Sequence, residues 1–397
     1  MKPLLEDMPW TGPDPGEWMR AFEPRRFLSN GHLQTIAGNY LRRRNALPEA
    51  EAVLVEVAAA TPERPAASRV LCHCHWQPEE VRRERLTVVL VHGLEGSSNS
   101  QYIVGNSNKL WSAGCNLVRM NMRNCGSWTG GTLPGELSAA GGVEGAGAGV
   151  VQGAVGEMAA YTPTLYHSGL SGDVLAVARY FVAARGLESV GLVGYSMGGN
   201  LVLKLAGEST PESFPQLRAV VGVSPALDLG PSADALHLPM NRVYEKHFLR
   251  GMYRRFRRKA ELFPAIYSTE RLQGIRTLRE FDDRITAFYE GFEGAADYYY
   301  RVAAARVLDR ISVPTLVLHA NDDPFVRLTQ ESREQLKANP NVAFVEMEHG
   351  GHCAFLATPD AAQEDDGYWA EKTLRAFLLT LPAAAAVATS EEGTTYV

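Results

Sequence analysis

One serine, Ser196, stands in the stretch Gly194-Tyr195-Ser196-Met197-Gly198, directly after the apolar run SVGLVG and directly before the helix-like NLVLKLAGE. The pattern G-x-S-x-G between a strand and a helix describes a nucleophile elbow. The turn is so sharp that bulky neighbours would clash, and glycines two residues either side leave the hydroxyl exposed. It also sets the serine oxygen at a helix N-terminus, where free backbone N–H groups and the dipole favour developing negative charge. In a chain with 37 glycines the pentapeptide alone is a weak signal, and an ordinary tight turn is the competing reading. The strand and helix flanks favour the elbow.

A serine hydroxyl needs a base, and the base needs a carboxylate to orient it. Near the C-terminus EHGGHCAF supplies His349 and His352, and upstream HANDDPFV supplies Asp322 and Asp323 at the end of an apolar run. Serine, then aspartate, then histidine is a chain order that such triads use. His352 is the better base, because Gly350 and Gly351 let its loop reach over a sheet edge, and His349 is expected to make a structural hydrogen bond. Adjacent acids cannot both point at one imidazole. Asp323, held extended by Pro324, is preferred, and Asp322 is expected to stabilise the loop. Two backbone N–H groups should receive the oxyanion: that of Met197, and that of Leu94 in His92-Gly93-Leu94-Glu95-Gly96. His92 is expected to position this loop rather than act as a second base.

These side chains need a rigid frame, and short apolar runs supply it. LTVVLVHG, GCNLVRMN, SVGLVGYS, RAVVGVSP and PTLVLHAND are rich in Val and Leu and about six residues long, as strands buried on both faces of a parallel sheet are. Helical segments such as DVLAVARYFVAARG separate them, which implies a doubly wound, mostly parallel α/β sheet flanked by helices. Ahead of it, EAVLVEV and SRVLCHCHW alternate as a strand hairpin would. The expected layout is an N-terminal extension over residues 1–50, a core over 51–230 and 301–383, a helical cap over 231–300 and a disordered tail over 384–397. A Gly/Ala-rich segment without a period, 127–161, reads as a flexible surface insertion.

Composition narrows the function. A net charge of −6 argues against a general nucleic-acid binder, which needs a broad basic face. Five scattered cysteines and a start without an apolar core suit a cytoplasmic protein without a disulfide framework. Cys72-His73-Cys74-His75 looks like a metal cluster, but alternate strand residues point to opposite faces and cannot all reach one ion. No metal and no cofactor are expected. The arginine-rich segment from Arg250 to Lys259, with Phe248, Met252 and Phe256 at helical spacing, reads as a solvated cap helix, with peripheral membrane contact as the alternative.

With these residues in place, the chain resembles the YheT-like branch of the α/β-hydrolases. The matching pieces are Asn30-Gly31-His32-Leu33-Gln34-Thr35, HGLEGSSNSQY, LYHSGLSGD, GYSMGGNLVLK, FDDRIT with ADYY, and the segments carrying Asp323 and His352. They span almost the whole chain. The resemblance implies the α/β-hydrolase fold, Ser196, Asp323 and His352 as the triad, and hydrolysis of short- or medium-chain esters or acylglycerols, with acyl transfer to an alcohol in some members. The chain departs from the branch after Arg123. A compact Gly-Cys-Gly-Gly turn is replaced there by Asn124-Cys125-Gly126-Ser127 opening into the insertion before Thr162-Pro163, and Phe288 stands where members often carry proline. The expected activity is that of a serine carboxylesterase on a small acyl ester. An alcohol O-acyltransferase with the same triad and a non-catalytic binding protein on the same fold are the rivals.

Overall fold

The computed structural model describes residues 8–62, 64, 66–128, 156–360 and 365–381. Residues 129–155 of the insertion and the 384–397 tail lie outside the described residues. Eight strands form the main sheet: β1 Glu51–Ala58, β2 Ser68–His75, β3 Thr87–Val91, β4 Asn116–Met120, β5 Val190–Tyr195, β6 Leu217–Val223, β7 Thr315–Ala320 and β8 Val342–Met347. Their order is β1-β2-β4-β3-β5-β6-β7-β8. Only the pairings of β2 with β1 and β4 are antiparallel, and β3 onward runs parallel.

The continuous apolar runs are explained by a sheet covered on both faces, because successive side chains alternate between two cores. On β3, Val89 and Val91 enter one core and Val88 and Leu90 the other. On β7, Val317 joins the first, while Leu316 and Leu318 join the second. The first core is closed by α3 (Ser171–Arg185) and α4 (Met197–Glu208), the second by α2 (Gln101–Ser112) and the C-terminal α9 (Trp369–Thr380). The hairpin lies where its alternation places it: Cys72 and Cys74 face the first core, and His73 turns away to meet Ser98 at 2.8 Å.

Between β6 and β7 the described chain is helical. It contains α5 (Leu229–Leu236), the long α6 (Arg242–Leu262), a π-helical turn over Asp282–Ala287 and α7 (Ala295–Val302). Two further apolar clusters hold this region together. Ahead of the sheet, α1 (Gly31–Tyr40) is capped by the Asn30 carboxamide, which accepts from the His32 and Leu33 N–H groups. α8 (Gln330–Ala338) bridges β7 and β8. One expectation needs correction. The 127–161 segment is not uniformly a surface insertion, because its end, Met158–Tyr161, is a 3-10 turn with Met158 fully buried. The Lys259 ammonium holds that turn by donating to Ala159 O at 2.9 Å and to Thr162 O.

Candidate active site

Ser196 has φ +55° and ψ −117°, a conformation that strains a residue with a Cβ. Its N–H donates to Val223 O at 2.9 Å and its carbonyl accepts from the Ala226 and Asn200 N–H groups, so β6 and α4 hold the turn from both sides. The glycines around it answer to close approach. A Cβ on Gly194 would stand 2.1 Å from Gly198 O, and one on Gly198 would stand 2.4 Å from Val91 O and 2.5 Å from His92 O. Both obstacles are backbone and cannot swing aside. Gly198→Ala should therefore cost about 1–3 kcal/mol, the usual range for overpacking. Thermal unfolding reads this directly, and an unchanged midpoint would mean that the elbow has slack.

Asp323 and His352 lie on the loops after β7 and β8. His352 Nδ1 donates to Asp323 Oδ2 at 2.7 Å. The other oxygen of Asp323 accepts from the Phe325 and Val326 N–H groups at 3.1 and 2.9 Å, which fixes the carboxylate against the ring. Burial works against both charged forms. Their mutual attraction overcomes it, holding the Asp323 carboxyl below the usual carboxylate range and raising the basicity of His352. The Phe325 ring packs on the imidazole with centroids 4.3 Å apart. Asp322 and His349 form a separate pair at 3.4 Å, and Asp322 Oδ1 accepts from the Gly351 N–H at 2.8 Å, so they brace the loop that carries His352.

Among the described residues, no hydrogen bond joins the Ser196 hydroxyl to His352. The two loops instead share a footing on β6. Val223 O receives the Ser196 N–H and, at 3.8 Å, the Cys353 thiol, and the Ser224 hydroxyl accepts from the Cys353 N–H at 3.0 Å. Such a bond is often unformed before a substrate arrives.

The loop after β3 is set by its first histidine, His92. Burial lowers the pKa of His92 to about 4, and the neutral ring donates from Nδ1 to Gly93 O at 2.8 Å while Nε2 accepts from the Met122 N–H at 3.1 Å. The Gly93 N–H is already engaged by the Tyr102 hydroxyl at 2.8 Å. The next N–H along the loop, on Leu94, has no such bond among the described residues, and Leu94 and Met197 line one cavity with Ser196. That cavity runs beneath the helical region, walled by Phe248, Met252 and Phe256 of α6 and by Leu229 and Val326. Asp282 sits in its wall, accepting from the Tyr299 hydroxyl at 2.7 Å and the Thr286 hydroxyl at 2.8 Å, and burial pushes its pKa up to about 6.

Three supporting groups escaped the sequence reading. Glu95 receives Arg255 Nε at 2.9 and 3.1 Å and the Tyr166 hydroxyl at 2.8 Å, tying α6 to the loop after β3. The Thr35 hydroxyl accepts from the His352 N–H at 2.8 Å. Asp282 is the third. All three stand in or beside pieces that carried the resemblance, but pairs so distant in sequence leave no local signal.

The family described as alpha/beta hydrolase fold matches residues 87–359. YheT of Escherichia coli is 30% identical over 346 residues, covering 84% of this chain and 87% of its own. Phospholipase ABHD3 of Mus musculus is 26% identical over 273 residues, 68% of this chain and 59% of that protein. Medium-chain fatty acid ethyl ester synthase/esterase 2 of Saccharomyces cerevisiae is 33% identical over 105 residues, with this chain spanning only 22% of its length.

Proposed function

The chain belongs to the α/β hydrolase fold family, in the branch that contains YheT, and from that premise we propose that it is a serine carboxylesterase acting on short- to medium-chain acyl esters or acylglycerols. One observation carries the reading: an imidazole bonded at 2.7 Å to a buried carboxylate shares its β6 footing with a strained serine at a helix N-terminus. Ester chemistry is also what the names of the mouse and yeast relatives describe.

In this mechanism Ser196 Oγ bonds to the ester carbonyl carbon while His352 Nε2 takes its proton. The carbonyl oxygen becomes an oxyanion facing the Leu94 and Met197 N–H groups. Collapse breaks the bond to the alkoxide, which leaves with the proton from His352. A water molecule, deprotonated by the same nitrogen, then attacks the acyl-enzyme and releases the acid. Asp323 keeps the imidazole in the tautomer that accepts on Nε2 and stabilises the cation that forms. The apolar cavity wall fits an acyl chain.

A fluorophosphonate probe tests the assignment. Covalent labelling of the wild type and none of Ser196→Ala is expected. Folded wild type that takes no label would sink the esterase reading and favour a binding protein. An alcohol can replace the deacylating water, a reading that the ester synthase named among the relatives favours. The ratio of ethyl ester to free acid formed in ethanol–water mixtures decides between them.

A further inference from the structure

Helix α1 presents its apolar side outward. Its inner side is polar: the Thr35 hydroxyl accepts from the His352 N–H, and the Gln34 carboxamide exchanges two hydrogen bonds with the Leu356 backbone at 2.8 and 3.1 Å. Its outer side carries Leu33, Ile36 and Tyr40, all exposed, at spacings that line one face of a helix. Tyr40 is 73% exposed, and Phe27, just ahead of the helix, is 79% exposed. A helix that merely finished a globular surface would show the opposite pattern.

The face continues onto the segment that opens α6. His32 and Tyr244 stack with ring centroids 5.8 Å apart, and His32 Nδ1 lies 3.1 Å from the Tyr244 hydroxyl. Next to Tyr244, Val243 is 76% exposed, and Met240 is 75% exposed. Among the described residues twelve large apolar side chains are exposed, five of them within 27–41 and three within 238–243. Single exposed apolar residues are ordinary, whereas a contiguous group marks a contact surface. This group borders the candidate site, because Tyr244 packs on Phe325 at 5.2 Å and Phe325 packs on His352 at 4.3 Å.

Charge indicates what the contact is with. From Arg25 to Arg44 the sequence holds five arginines and no Asp or Glu, in a chain of net charge −6. Arg43 is committed to Glu371, whereas Arg25, Arg26, Arg42 and Arg44 are exposed and make no ion pair among the described residues. On α6, Arg242 and Lys246 are exposed beside Val243, and the acid between them, Glu245, is buried against His237 and the Leu278 N–H. A second copy of the chain seated symmetrically here would set these cations against themselves. An anionic lipid surface offers an apolar interior to the stripe and negative charge to its rim.

We propose that the outer face of α1, with the segment that opens α6, docks the protein on an anionic membrane surface. The ten residues of α1 span about 15 Å against a hydrocarbon thickness of about 30 Å, so the helix lies in the plane of the interface and does not cross it. The proposal concerns where the protein sits and does not depend on the ester chemistry.

Co-sedimentation of the full chain with vesicles tests it, comparing phosphatidylcholine alone with an equimolar mixture of phosphatidylcholine and phosphatidylglycerol. The wild type should bind the mixed vesicles in preference to the neutral ones, and more weakly at high salt. I36S/Y40S and M240S/V243S should each cut binding about tenfold or more, since each takes two apolar side chains out of the lipid. R25Q/R26Q should act similarly, at about fivefold for each charge lost near the surface. All six side chains are exposed, so thermal midpoints should stay at the wild-type value, and if one pair misfolds the other two decide. Wild type that binds neither vesicle, equal binding to both, or binding that survives all three pairs overturns the proposal. A concentration-dependent dimer that these substitutions dissolve, without vesicle binding, also overturns it and makes the face a contact between copies. None of these readings needs turnover, so failure of the esterase reading leaves the test unaffected.

Discussion

Ser196→Ala is expected to lower kcat/KM on p-nitrophenyl butyrate by about 10⁴-fold or more, with KM close to that of the wild type. In the proposed mechanism the hydroxyl forms the bond that defines the transition state, so its loss should remove transition-state stabilisation and leave ground-state binding in the apolar cavity intact. The residual rate should come from the Leu94 and Met197 N–H groups, which still polarise a bound ester. The variant must remain folded for the comparison to count. The alanine methyl occupies less space than the serine side chain, but it inherits the same positive φ at +55°, so thermal unfolding should accompany the kinetics. A variant that keeps more than about a tenth of wild-type activity would move the nucleophile elsewhere.

Asp323→Asn should be nearly as damaging, with a loss of about 10³–10⁴-fold in kcat, because an amide facing Nδ1 favours the wrong tautomer. It carries a second signature in pH. In the proposed mechanism His352 must be neutral to accept the serine proton, and the adjacent carboxylate holds the imidazolium stable to higher pH than an ordinary histidine. Activity of the wild type should therefore rise with pH as His352 deprotonates. In the asparagine variant the stabilising charge is gone, the imidazole becomes less basic, and the acidic limb of kcat/KM should move to lower pH while the plateau falls. A merely structural aspartate would lower the plateau without moving the limb. The control is Asp322→Asn, which loosens the brace at Gly351 but leaves the Asp323 contact in place.

Most of the frame was legible because the sheet imposes its signal residue by residue. A strand covered on both faces is apolar at most positions, and five such runs became β3 to β7. The eighth strand, Val342–Met347, was not among them, since its last two residues are half-buried and include Glu346, paired with Arg333. The elbow was legible for the same kind of reason: Gly194 and Gly198 answer to backbone atoms a few residues away or on the adjoining strand. Asp322 and Asp323 were told apart by local geometry next to Pro324, and the structure sets them against different histidines. What the sequence could not disclose were bonds made across the fold. Arg255 and Glu95 lie 160 positions apart, and Thr35 and His352 lie 317 apart. The buried end of the 127–161 segment was hidden similarly, because Lys259 reaches it from a helix about a hundred positions on.

The Thr35 contact has a consequence for when the protein can act. The serine turn is a local structure, assembled from β5, α4 and β6. His352 arrives only with the loop after β8, and that loop is seated by α1 through Thr35, 317 positions earlier. If Ser196 and His352 act as proposed, the serine turn can form during synthesis well before its base is seated, and the chain would stay inert until the Thr35 and His352 segments meet. On that reading turnover would report completion of the entire topology, whereas a partly folded protein with a well-formed elbow would remain silent.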